Sequence, residues 1–148
     1  VNVLLRFAMP HFKKSIVFVL MADHLQAYRA EGPQGFEERL RGFSISMNQP
    51  NIFQNVFESN MHYIGAMPAH PENAAIAEKL EEQVISPVFL IPLVFQKRVE
   101  MVLFGSGMDE TFNEEQIKRF QIFMEKAGLA FQILLLKKRM AVLPQGLR

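Results

Sequence analysis

The chain has 148 residues, 49% of them hydrophobic and 21% charged, a balance typical of a folded domain with a substantial core and not of a disordered segment. Sixteen Lys and Arg residues against fifteen Asp and Glu leave a formal charge of +1, so no broad positive field is available to hold nucleic acid or an anionic membrane. The absence of cysteine excludes disulfides, thiolate nucleophiles, Cys-ligated metals and thioether-linked chromophores.

The sequence predicts neither a membrane span nor a signal peptide. No apolar run reaches the ~18 residues of a membrane span, and the N-terminus lacks a signal-peptide pattern. We therefore expect no membrane insertion and a cytoplasmic location. The chain starts at Val1 inside a predicted helix over residues 1–12, which indicates a domain cut from a longer protein.

The first half of the chain predicts a hairpin followed by short elements. Residues 16–21 are an unbroken apolar run rich in β-forming side chains, and residues 25–29 alternate apolar and polar side chains at period 2. The short connection between them predicts antiparallel pairing. The elements predicted next are a short helix over 35–41, a short strand over 43–47, a short helix over 52–57 and an extended piece over 61–65.

The second half begins with a predicted surface helix over 73–83, rich in Ala, Glu and Lys. Two apolar strands, 88–95 and 99–104, are separated by residues 96–98, a connection short enough only for an antiparallel pair. Pro92 has no N–H to donate, so we expect it at a bulge, at an edge, or where no partner strand faces it.

The longest predicted helix covers residues 113–139. Asn113 is its expected N-cap, followed by acidic first-turn residues and a capping Gln116. One apolar stripe of this helix is expected to cover the sheet, and another to meet the N-terminal helix or a partner chain. A seam at near-heptad spacing predicts the interface of a homodimer; its residues are Ile117, Phe120, Met124, Ala127, Phe131 and Leu134.

This order of elements predicts an α+β fold with an antiparallel sheet. Over residues 15–139 the chain resembles a GAF domain, the sensory relative of PAS domains. The resemblance rests on Ile91-Pro92-Leu93-Val94 with the return strand 99–104, on Phe112-Asn113-Glu114-Glu115 at the start of the last helix, and on Arg29-Ala30-Glu31-Gly32. It implies a single three-layer, profilin-like domain over residues 1–148, in which a central sheet of five or six strands carries both terminal helices on one face. It also implies a larger, bacterial-type signalling protein as the parent.

The chain departs from the family in ways that restrict the ligand. Glu100 stands where the family often has Gly at the start of the return strand. Without cysteine, no bilin attaches covalently and the nucleophiles of the methionine-sulfoxide reductase members are missing. The Asn-Lys-Phe-Asp-Glu motif of cyclic-nucleotide-binding relatives is not present, so the identity of any cofactor stays unknown.

The resemblance implies a ligand pocket bordered by the segments that carry Phe36, Phe53, Phe57 and Phe89, with the charge of Arg29 at its mouth. The strand beside that pocket offers polar contacts from His62 and Tyr63. Each residue also has a simpler interpretation. The phenylalanines would fill the core, Arg29 would form a surface ion pair, and His62 would pack with Tyr63 under a loop.

Motifs for catalysis or metal binding are missing from the sequence. The four histidines show neither i,i+4 pairing nor an HExxH motif, which argues against a metal or haem site. No serine lies in a GxSxG elbow, and no GxGxxG or Walker motif occurs. We therefore expect no enzyme, and no nucleic-acid partner because basic and aromatic residues do not interleave.

Two functional hypotheses follow. The first is a regulatory module of signal transduction that binds a small molecule between the sheet and its covering helices, or relays a signal through dimerising terminal helices to other domains of its parent protein. The alternative is a ligand-free protein–protein interaction or dimerisation module of GAF-like or Roadblock-like fold.

Overall fold

A computed structural model describes residues 2–81, 86–109 and 111–141, which form one antiparallel sheet with helices on both of its faces. The predicted α+β class is confirmed, and the sheet has six strands. In chain order the elements are α1 (Asn2–Ala8), β1 (Lys14–Met21), β2 (His24–Glu31), α2 (Phe36–Arg39), β3 (Ser44–Ser46), α3 (Phe53–Ser59), β4 (Tyr63–Ala66), α4 (Pro71–Leu80), β5 (Pro87–Phe95), β6 (Arg98–Ser106) and α5 (Glu114–Ala141). Within the described part of the chain, no helix is both long and apolar enough to cross a membrane.

The strands are ordered β3-β2-β1-β6-β5-β4, so that the two predicted hairpins lie side by side at the centre of the sheet. The β5–β6 connection is one residue shorter than predicted, because Arg98 already pairs with Phe95. Gln96 and Lys97 form the remaining two-residue turn, with φ angles of 50° and 66°. Two successive positive φ angles suit the right-handed twist of the flanking strands.

Glu100, where this chain departs from the glycine common in the family, lies at a β-bulge. Leu93 pairs with Met101 and Val94 pairs with Val99, so Glu100 is the extra residue of β6 and has no partner on β5. Pro92 lies just before this irregularity and beyond Leu90, where the pairing between β4 and β5 ends. This position matches the expectation for a residue that cannot donate a backbone hydrogen bond.

The inner core lies between one face of the sheet and helices α2, α3 and α4. Its fully buried side chains include Phe18, Phe36, Phe53 and Phe104. The buried amide of Asn73 ties two loops to α4: its Oδ1 accepts a hydrogen bond from the Ile52 N–H at 2.8 Å, and its Nδ2 donates to the Pro68 carbonyl at 2.7 Å. Helix α4 begins two residues before its predicted start, and its predicted end at residue 83 lies outside the described residues.

The outer core lies on the opposite face of the sheet, under α1 and α5, so the terminal helices share one face as predicted. The rings of Phe7 and Phe123 stack at 4.8 Å, which fixes the two helices against each other. Asn113 caps α5, since its Oδ1 accepts hydrogen bonds from the N–H groups of Glu115 and Gln116 at 3.0 and 3.3 Å. Helix α1 ends at Ala8 and not at residue 12, because Pro10 cannot continue a helix.

Candidate functional site

Two of the predicted pocket phenylalanines are part of the packed inner core. Phe36 and Phe53 are fully buried, and the Phe53 ring lies 5.0 Å from that of Phe18 and 6.1 Å from that of Phe104. Phe57 is partly buried and packs against the same core. These aromatic rings fill the space between the sheet and helices α2 to α4.

Phe89 lies on the other face of the sheet, and this placement corrects the expectation that it borders one pocket with Phe36 and Phe53. It belongs to the outer core, where its ring stacks on Phe12 at 5.8 Å and lies 5.5 Å from Phe120. The reason is the period of two along a strand, which sends neighbouring side chains to opposite faces. An unbroken apolar run such as β5 gives no sign of which face each residue takes.

Arg29 forms a surface ion pair, its Nη1 lying 3.7 Å from Glu37 Oε1 with both side chains about half exposed. The other oxygen of Glu37 accepts a hydrogen bond from the Ala30 N–H at 3.0 Å. Tyr63 is partly buried against the inner core and donates its hydroxyl to the Ala66 carbonyl. Each of these two side chains therefore has a partner nearby on the protein.

His62 contacts a helix that is distant in the chain. Its Nδ1 lies 3.0 Å from Nε2 of Gln121 on α5, and its ring lies 6.0 Å from that of Phe89. This contact joins the loop between α3 and β4 to the last helix.

An open cleft of about 490 Å³, the α5 cleft, surrounds this contact. It exists because the pairing of β4 stops at Leu90, which leaves the following part of β5 without a neighbour strand on that side. The loop between α3 and β4 forms one wall and α5 forms the other. The residues that line the cleft are Asn60, Met61, His62, Ile91, Pro92, Val94, Gln121, Met124 and Glu125.

Sequence reasoning found His62 but missed the rest of this cleft. The loop between α3 and β4 is about 60 residues from the facing part of α5 in the chain, and no local sequence pattern predicts their contact. The one available signal was the polar pair Gln121 and Glu125, four residues apart and flanking Met124 of the apolar seam.

The predicted dimer seam on α5 largely faces the sheet of its own chain. Phe120 and Met124 are buried in the outer core, and Ile117 and Ala127 pack against it. Phe131 is 45% exposed and its ring meets that of Phe95 at 5.1 Å, whereas Leu134 is 64% exposed. The first four positions therefore serve the monomer's own core.

A second apolar stripe lies on the opposite face of α5, because each residue advances the helix by about 100°. Its residues, named the α5 stripe here, follow each other at steps of seven, four and three and are between 49% and 61% exposed; they are Ile122, Leu129, Ile133 and Leu136. An exposed heptad pattern of this kind is typical of a helix that pairs with another helix.

Other chemistry is sparse in the described residues. No group of three or more His, Asp or Glu side chains among them is placed to hold a metal ion. Away from the cleft, the Thr111 hydroxyl donates to Asp109 Oδ1 at 2.5 Å, and this hydrogen bond lowers the pKa of the Asp109 carboxyl below its ordinary value. Because Asp109 is fully exposed, this shift points to a local turn and not to a reactive site.

Comparison with known proteins rests on structure alone, since the sequence matches no protein-family model and no curated protein. The GAF domain/HD domain protein of Geobacter sulfurreducens superimposes with a TM-score of 0.74 at 15% identity, over 91% of each chain. The fold is that of a GAF domain. The GAF-B domain of DevS from Mycobacterium smegmatis has a TM-score of 0.67 at 18% identity, over 94% of this chain and 92% of that one. A methyl-accepting chemotaxis protein has a TM-score of 0.71 at 13% identity, over 91% and 86%.

The likeness shows that this chain has the fold of a GAF domain. At identities below 20% it carries no information on which ligand, if any, is bound. Function must therefore be argued from the residues of the α5 cleft and the α5 stripe.

Proposed function

We propose that this chain is a regulatory GAF domain of signal transduction that relays a signal by rearranging a homodimer formed through its terminal helices. In this proposal the domain is not an enzyme. It acts by favouring one packing of α5 in the dimer over another.

The observation that carries the proposal is the α5 stripe. Four large aliphatic side chains at heptad spacing are exposed on the face of α5 that points away from the sheet. Exposing them costs free energy in a monomer, and burying the exposed half of each in a helix pair stabilises the assembly by about 1 kcal/mol before entropy is deducted. A second copy of α5 offers a matching stripe.

The packing of the inner core favours a signal relayed by the terminal helices and disfavours a ligand bound inside the domain. Phe36 and Phe53 fill that side of the sheet, so an interior ligand would have to displace aromatic rings. The chemotaxis protein with the same fold adds support by analogy, since its name places that GAF-like domain in a signalling protein.

The test is sedimentation velocity of the chain over a concentration range up to about 50 μM, a range in which specific dimers with micromolar affinity assemble. We expect a dimer, and we expect Leu129→Glu to shift it to monomer because the new charge lies at the centre of the stripe. Gln132→Glu is the matched control, an equally exposed position about 70° around the helix from the stripe.

A chain that sediments as a monomer at every concentration contradicts the proposal. A dimer that survives Leu129→Glu would place the interface elsewhere, and Leu134→Glu then tests the seam predicted from sequence. Circular dichroism of each variant must show unchanged helix content, so that loss of the dimer is not loss of the fold.

The interaction-module alternative rests on a second apolar opening of about 490 Å³ on the outer face of the sheet, where Met21, Tyr28, Met101 and Phe131 meet. Tyr28 is the extra residue of the bulge in β2 and is 60% exposed. If this groove holds the second copy, Tyr28→Glu abolishes the dimer and Leu129→Glu does not.

A further inference from the structure

His62 and Gln121, which line the α5 cleft, are joined to each other by a hydrogen bond. The amide nitrogen of Gln121 can only donate, so Nδ1 of His62 accepts its hydrogen bond. The proton of the neutral imidazole therefore lies on Nε2. This hydrogen bond fixes the tautomer of His62 and holds its ring against Phe89.

The charge in the cleft is negative. Glu125 lies one turn after Gln121 on α5, and it forms no ion pair with any residue that the structure describes. None of the described residues that line the cleft is Lys or Arg. A carboxylate at the rim of such a cleft attracts a positively charged ligand group.

The floor of the cleft is apolar. Ile91 and Met124 close its base and are almost fully buried, at 2% and 4% exposed. Met61 stands at the rim with 60% of its surface exposed. Methionine side chains are flexible and polarisable, so Met61 can close over the flat face of a small apolar group.

We propose that the α5 cleft binds a small organic ammonium ion with an apolar body: the ammonium group pairs with Glu125, and the apolar body packs against Met61 above the base that Ile91 and Met124 close. The site is separate from the inner core, where the family resemblance had implied a pocket. The proposal goes beyond the function proposed above, since it names a ligand class and a site without requiring that the domain dimerise.

Such a ligand would contact the loop between α3 and β4 on one side and α5 on the other. It would stabilise the arrangement in which His62 and Gln121 are joined, and α5 carries the α5 stripe on another of its faces. Binding would thus favour one position of the helix that we propose as the dimer contact.

The experiment is a titration followed by ¹H–¹⁵N correlation spectra, with 2-phenylethylamine as the probe. Its ammonium group and phenyl ring match the charge and the apolar floor. We expect saturable shifts at residues 60–62, 121, 124 and 125. The neutral analogue 2-phenylethanol should bind about tenfold more weakly, the effect of one lost charge-assisted contact.

Glu125→Gln removes the charge while keeping the size of the side chain, and it should weaken 2-phenylethylamine binding about tenfold without changing the affinity for 2-phenylethanol. Glu114→Gln on the exposed first turn of α5 is the matched control and should bind like the unchanged chain.

Equal binding of the amine and the alcohol, an unaffected Glu125→Gln variant, or shifts confined to another surface would overturn the proposal. Spectra of Ile133→Glu, a change in the α5 stripe two turns beyond Glu125, test the site independently of oligomeric state. If 2-phenylethylamine binds this variant, the α5 cleft site is supported even if the domain never dimerises. If the chain dimerises but shows no ligand shifts, only the proposed homodimer relay is supported.

Discussion

At the scale of single residues, His11 is the side chain whose environment least suits its chemistry. Its Nδ1 is buried and has no hydrogen-bond partner among the described residues. Its ring lies among aromatic side chains, 6.0 Å from that of Phe112 and 5.8 Å from that of Phe120. A buried polar atom without a partner costs about 1–3 kcal/mol.

We predict that His11→Phe raises the free energy of unfolding by about 1 kcal/mol, because it removes the unsatisfied nitrogen and keeps an aromatic ring between Phe112 and Phe120. Urea denaturation followed by circular dichroism measures the change. His11→Asn keeps a polar group at the site but removes the ring, so it should be less stable than the unchanged chain. A His11→Phe variant of lower stability would mean that the site has no room for the larger ring.

For His11 and His62 the sequence does not show which hydrogen-bond partner each ring has in the fold. Both are lone histidines without metal-binding spacing, and only His62 was predicted to contact a ligand or to pack under a loop. His62 acquires a partner only because the fold brings Gln121 within 3.0 Å, and His11 lacks one because rings surround it.

At the scale of elements, the turn between β5 and β6 is built from residues that do not favour its geometry. Gln96 and Lys97 both have positive φ angles, a conformation that disfavours side chains with a Cβ atom. Asn-Gly is the pair preferred at such turns.

We predict that the double change Gln96→Asn with Lys97→Gly stabilises the domain by about 1 kcal/mol, because it relieves the left-handed backbone without touching a core contact. The midpoint of thermal unfolding should rise accordingly. Lys97→Ala serves as the control, since alanine keeps the Cβ atom and should give no gain. An unchanged midpoint for the Asn-Gly variant would show that the turn carries no strain.

Helix α5 has one feature that the sequence predicts, its N-cap, and one that depends on the fold, the partner of its apolar seam. The Asn113 cap and the heptad seam were both visible in the sequence, and the cap is confirmed by its hydrogen bonds. The seam could belong to a core or to a dimer, since both bury the same kind of side chain at the same period. Burial of Phe120 and Met124 assigns that part of it to the outer core.

At the scale of the whole molecule, the sheet separates two cores with different tasks. The inner core is packed with aromatic rings, and the outer core attaches the terminal helices. Because a packed interior tolerates little loss of volume, the inner core should respond sharply to truncation.

We predict that Phe53→Ala lowers the free energy of unfolding by about 3–5 kcal/mol, the range for removing a buried ring and leaving a cavity. Phe57→Ala is the matched control in the same helix; its ring is partly exposed, so the loss should be less than half as large. Urea denaturation compares the two variants. Similar losses for both would mean that Phe53 does not occupy a tightly packed interior.

The sequence by itself determined the order of the elements, the two hairpins, the antiparallel sheet and the resemblance to a GAF domain. The resemblance rests on the order of the quoted motifs along the chain, whereas the elements, hairpins and strand pairing follow from local causes, namely hydrophobic period, connection length, capping residues and the missing N–H of proline. Each can be assessed within a window of a few residues.

Only the tertiary structure decided which side chains meet. It separated Phe89 from Phe36 and Phe53 by placing them on opposite faces of the sheet, and it joined His62 to α5 across the open edge of β5. It also decided which stripe of α5 is buried. The physical reason is that apolar residues specify burial but not a partner, and the partner is fixed by packing among elements distant in the chain.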